Sequence, residues 1–98
     1  MNLTDEKRAR DVLTVLERNL GIALSPSEAK VLAELAVEIA AKTVVEVGTY
    51  RGYSGIWLAL ALRKTGGRLI THEASAANAA TARENFRKAG VDDIVTIV

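Results

Sequence analysis

With 98 residues, 49% of them apolar, and 13 lysines and arginines against 12 aspartates and glutamates, the chain is sized for one small domain without a dominant charge. The two signs are interspersed, so neither a nucleic-acid surface nor a membrane-attracting basic face is expected. The lack of cysteine excludes a disulfide framework, thiolate chemistry and cysteine-based zinc sites.

The segment from Met1 to Arg10 is polar and of mixed charge, unlike a secretory signal. Thr4 is placed to cap a first helix with Asp5 and Glu6 in its opening turn. Ala9, Val12, Leu13, Leu16 and Leu20 recur at helical spacing up to Gly21, which predicts an amphipathic cover helix. Ser25-Pro26-Ser27-Glu28 combines an N-cap, a proline at the first helical position and a glutamate that completes a capping box. Val31, Leu32, Leu35, Ala36 and Ile39 then predict the apolar face of a second helix ending near Lys42.

Thr43, Val44, Val45 and Val47 form a β-branched run suited to a strand covered on both faces. After a glycine loop, Tyr53 to Lys64 reads as a helix with apolar residues at nearly every position from Ile56 to Leu62. It must be buried on more than one side, and its apolar run is too short to span a bilayer. Gly66-Gly67 stops that helix, Arg68 to Thr71 form a second strand, Ser75 caps a helix through Lys88 closed by Gly90, and Ile94 to Val98 start a third strand. A soluble, cytoplasmic protein is the expectation.

Strand, helix, strand, helix, strand with right-handed crossovers predicts a parallel three-stranded sheet in order 3-2-1. The fold class is therefore α/β, half of a doubly wound Rossmann-like fold, with residues 1–42 as helical cover and 43–98 as a βαβαβ half-domain. No repeat, low-complexity tract or linker interrupts it. In a complete doubly wound sheet the strand 43–47 is central, whereas here it is an edge without a blunting lysine or proline. The expectation is a fragment of a longer protein, or a half-domain forming a homodimer through strand 43–47.

The segment from Val44 to Gly55 is where a small ligand is expected. Gly48 and Gly52 permit sharp turns and close backbone approach, and the following helix aims its N-terminal N–H groups at the loop. A dinucleotide fingerprint, Gly-x-Gly-x-x-Gly, needs a second glycine where Tyr50 stands. A P-loop needs Gly-Lys-Ser/Thr where the chain has Gly52-Tyr53-Ser54.

The run from Glu46 to Ser54, Glu-Val-Gly-Thr-Tyr-Arg-Gly-Tyr-Ser, resembles the first cofactor motif of S-adenosylmethionine-dependent O-methyltransferases, in particular the catechol and caffeoyl-CoA group. The resemblance extends from Ser25 onward, with Ser25-Pro26-Ser27-Glu28 at a family helix start and His72-Glu73 at the family's ribose-binding acid. It implies a cofactor set of Glu46, Gly48, Thr49, Tyr50, Gly52, Ser54, Glu73 and Ala74. Ser54 and the loop backbone would meet the methionine part, Glu46 its α-ammonium region, Glu73 both ribose hydroxyls, and Ala74 with Ser75 the adenine side. The implied partner is a small-molecule methyl acceptor bearing a hydroxyl.

In the metal-dependent members of that group a divalent cation, held by residues of later strands, deprotonates the acceptor. Those positions have no counterpart here, so no metal ligand and no catalytic residue is assigned, and the 98-residue chain alone is expected to be inactive.

Plainer readings stand beside these. Ser54 could simply cap its helix. An unpaired Glu46 among valines requires a cation or several N–H donors, and loop amides would serve. Glu73 could be an exposed charge at a helix start. His72 reads as packed or hydrogen-bonded rather than catalytic, Trp57 and Phe86 as core, and Arg51 as a solvated loop residue or one facing an acidic substrate or partner. Two rival functions remain: a self-associating half-fold without a ligand, and half of a nicotinamide-binding oxidoreductase, against which Tyr50 speaks.

Overall fold

The computed structural model describes residues 2–21 and 23–98, so Met1, part of the polar N-terminal segment, lies outside the described residues. The element order is α1 (Lys7–Glu17), α2 (Pro26–Glu38), β1 (Thr43–Val47), α3 (Tyr53–Thr65), β2 (Arg68–His72), α4 (Ala76–Ala89) and β3 (Val95–Ile97). The strands form one parallel sheet in the order β1-β2-β3, the arrangement that two right-handed crossovers impose. No helix among the described residues is long and apolar enough to cross a membrane.

Strand register decides what meets the helices. Val44, Leu69 and Val95 lie abreast, as do Glu46, Thr71 and Ile97, and this set faces α3 and α4, with Leu69 and Thr71 fully buried. Val45, Ile70 and Thr96 alternate onto the other face, where Val45 is 62% and Val47 is 86% exposed. The expectation of a first strand covered on both faces is thus corrected. α2 packs on α3, and α1 on α4 and α3, so the helices form a single layer over one face.

α3 is the centre of the core. Ile56, Leu58, Leu60 and Leu62 are all buried because β2 lies on one side of the helix and α2 and α1 on others, as its all-round apolar sequence requires.

α2 departs from the expected face. Ala29, Ala33 and Ala36 are its buried residues, whereas Val31 (55%), Leu35 (50%) and Ile39 (75%) point outward. The small residues let α2 approach the bulky surface of α3 closely, and that packing overrides the stripe of larger side chains.

Helix boundaries follow local hydrogen bonding. The Ser25 and Glu28 capping box is present in both directions, and Ser75 Oγ accepts from the Asn78 N–H at 3.2 Å. Thr4 is not a cap: its hydroxyl donates to Asn2 Oδ1, and α1 starts at Lys7 behind Glu6. α1 also ends at Glu17 rather than Gly21, with Leu20 packed on the core from the loop, and α2 ends at Glu38 rather than near Lys42.

Gly67 holds the tightest steric position. A Cβ there would stand 2.5 Å from the Lys42 carbonyl oxygen, which cannot retreat because it accepts from the Arg68 N–H at 2.8 Å. Gly67→Ala is expected to destabilise the fold by about 2–3 kcal/mol, read as a lower urea midpoint at unchanged slope.

Candidate functional site

At the end of β1 the backbone bends through three left-handed positions, with φ of +89° at Gly48, +51° at Tyr50 and +95° at Gly52. The loop hangs on the end of β2. The N–H groups of Gly48 and Thr49 both donate to the His72 carbonyl, at 2.8 and 3.1 Å. One residue on, Glu73 Oε1 accepts from the Tyr50 N–H at 2.7 Å while Oε2 accepts from the Ser75 N–H at 3.0 Å. The carboxylate thus bridges the loops that follow β1 and β2. The Ser75 amide first, and the Tyr50 amide next, hold its carboxyl below the usual value.

Glu46 sits behind the loop in a network of hydroxyls. Ser54 Oγ donates to Glu46 Oε2, and Thr71 Oγ1 donates to Oε1 at 2.8 Å. Thr71 has one O–H proton, given to Glu46, so in the 2.6 Å contact between Thr49 and Thr71 the donor is Thr49. Burial raises the Glu46 carboxyl above its ordinary value, and the bonds from Ser54 and Thr71 partly oppose that rise.

Two of the plainer readings do not hold here. Hydroxyls, not loop amides, meet Glu46. Ser54 is not a helix cap, because Gly52 occupies that position and the Ser54 side chain turns to the carboxylate.

A hollow of about 440 Å³ opens at this point, and Glu46, Gly48, Thr49, Tyr50, Ser54 and Glu73 all line it. Gly52 does not: it is buried behind the loop, where a Cβ would stand 3.0 Å from the Phe86 ring. Ala74 lines a second hollow of about 440 Å³ with His72 and Val98, and the two share Val47, Gly48 and Glu73. They flank Gly48 as one trough across the ends of β1 and β2, and a Cβ at Gly48 would meet nothing within 4 Å.

The first hollow contains residues that the sequence pattern did not single out. Tyr53 donates its hydroxyl to Glu17 of α1, and burial followed by that carboxylate pushes the phenol well above its usual range. Ala23, Leu24 and Asn78 complete the wall. Thr71 was legible in principle, as a polar residue at a core-facing strand position, whereas Tyr53 merges into an apolar helix and Leu24 carries no local signal.

Arg51 folds back on its neighbour in the loop. Its guanidinium stacks 4.6 Å from the centroid of the Tyr50 ring and donates to the Tyr50 hydroxyl. His72 keeps its Nδ1 at 3.3 Å from the Glu46 carbonyl. Among the described residues no cluster of three or more histidines, aspartates or glutamates is arranged to hold a metal ion.

Two carboxylates, Glu46 and Glu73, thus stand in the wall of the trough. The sequence matches the O-methyltransferase family model over residues 7–98. The chain belongs to the O-methyltransferase family. The catechol O-methyltransferase of Niastella koreensis is 46% identical over 76 residues, which is 78% of this chain and 34% of that protein.

Among solved structures, the Bacillus cereus O-methyltransferase in complex with SAH superimposes with a TM-score of 0.80 at 38% identity, covering 96% of this chain and 43% of that one. A Streptomyces achromogenes O-methyltransferase involved in tomaymycin synthesis, solved with SAM, gives 0.77 at 31% identity over 96% of this chain and 43% of that one. The chain spans about a third of the length of the curated relatives it matches.

The two carboxylates of the trough have opposite pH signatures. Glu46 is raised, so its contribution to stability is present below its unfolded value near 4.5 and is lost as pH rises through the folded value. Glu73 is lowered, so its contribution is present above about 4.5 and is lost as pH falls through the folded value. Thermal melts between pH 3 and 8 are expected to show Glu46→Gln gaining on the parent chain as pH rises. Glu73→Gln is expected to lose to the parent at neutral pH and to converge with it in acid.

Proposed function

We propose that this chain is the cofactor-binding half of an S-adenosylmethionine-dependent O-methyltransferase that transfers a methyl group to a hydroxyl of a small molecule. The observation that carries the reading is the trough between Glu46 and Glu73. A carboxylate meeting only two hydroxyls suits the α-ammonium side of the cofactor, directly or through water. A second carboxylate, pinned by backbone amides, retains lone pairs for the ribose hydroxyls. The SAH and SAM in the two solved relatives support the choice of ligand.

In this reading Gly48, Thr49, Tyr50 and Ser54 line the methionine side and Ala74 the adenine side, while Gly52 acts by shaping the loop. Residues 1–42 form the cover and 43–98 the binding half, in a cytoplasmic setting. Methyl transfer is an in-line displacement from a sulfonium, so the part of these residues is alignment of the donor. The divalent metal used in the resembled group finds no ligand cluster among the described residues, and no step is assigned to it. The chain by itself binds without turnover.

The same reading includes a homodimer through β1. Its free edge carries Val45 and Val47, exposed and apolar, next to backbone groups with no partner strand on that side. Light scattering is expected to show concentration-dependent dimerisation that Val45→Lys abolishes. A monomer at all concentrations would overturn this part.

The cofactor assignment is tested by calorimetric titration with S-adenosylhomocysteine and, separately, with NAD. Saturable binding of the first alone is expected, and Glu73→Ala should weaken it by roughly tenfold or more. Saturable binding of NAD alone would sink the reading.

A further inference from the structure

One side chain outside the trough reaches into the glycine loop. Asn85, three turns into α4, donates from Nδ2 to the Arg51 carbonyl at 2.8 Å. Arg51 directly follows Tyr50, whose φ of +51° is a left-handed conformation that a bulky residue adopts only when its surroundings fix it. Two bonds do so here. Glu73 takes the Tyr50 N–H on one side, and Asn85 takes the next carbonyl on the other.

Packing alone does not require the second bond. The ring of the neighbouring Phe86 already fills the space behind Gly52 and Gly55. Asn85 is half-buried and lines neither hollow, so it touches no ligand held there.

We propose that Asn85 is a positioning residue of the cofactor site. By holding the Arg51 carbonyl it maintains the left-handed bend at Tyr50, and with it the aim of Thr49, Tyr50 and the first turn of α3 into the trough. The effect on affinity rests on the cofactor reading above; the effect on the loop does not.

Asn85→Asp keeps the side-chain shape but sets an acceptor against the carbonyl, and Asn85→Leu keeps the volume without a donor. Testing both keeps the outcome independent of whether either one folds poorly. Amide hydrogen exchange by NMR on the ligand-free chain reads the loop, where Gly52 N–H bonds to Thr49 and Ile56 N–H to Gly52. Both amides are expected to exchange roughly three- to tenfold faster in each variant, while the Leu69 and Val91 amides keep their protection. S-adenosylhomocysteine titrated into the same samples should bind about three- to tenfold more weakly.

Loop exchange unchanged, or accelerated equally at all four amides, would overturn the proposal. So would undiminished affinity in both variants. If the parent chain fails to bind S-adenosylhomocysteine while the loop-specific acceleration appears, the cofactor reading falls and the control of the loop by Asn85 stands.

Discussion

The parallel register of β1 against β2 is the constraint from which the site follows. Pairing Glu46 with Thr71 sets a carboxylate beside the one strand hydroxyl able to donate to it. Pairing Val47 with His72 ends both strands at the same level, so the next two amides of the first strand's loop fall on the His72 carbonyl. Glu73 then stands one residue past the sheet, within reach of Tyr50. Shifting the register by one residue would turn Glu46 to the uncovered face and leave the loop without its anchors.

Within this frame the two carboxylates are treated differently by their surroundings. Glu46 is half-buried on the face turned to Thr71 and met by neutral hydroxyls, so burial disfavours its charged form. Glu73 lies nearer solvent and receives backbone N–H groups from two loops, which favour the ionised form. One carboxyl is therefore held above its ordinary value by burial, while the other is stabilised as an anion by backbone N–H groups.

The same molecule leaves two apolar surfaces uncovered. Val31, Leu32, Leu35 and Ile39 run along the outer side of α2, and Val45 and Val47 lie along the free strand. The solved relatives that superimpose on this chain are more than twice its length.

Much of the architecture was legible from local chemistry. The capping box at Ser25 and Glu28, the Ser75 cap, the glycines that end α3 and α4, and the all-round apolar α3 each express a rule that needs only neighbours in the chain. Strand order was legible too, because crossover handedness leaves few alternatives. Thr4 failed as a cap because Asn2, two residues away, accepts its hydroxyl; the bulky face of α2 failed because helix packing favoured the alanines.

Site chemistry divides along the same line. The sequence by itself determined that a loop turning sharply at Gly48 and Gly52 would follow the first strand, with acids at Glu46 and Glu73, since glycine placement and strand-end position are local properties. Only the tertiary structure decided that Ser54 and Thr71 satisfy Glu46, that Tyr53 reaches Glu17, that Glu73 joins two loops and that Asn85 holds a carbonyl 34 residues away. Those partners are chosen by register and packing, which bring together groups that no spacing along the chain relates.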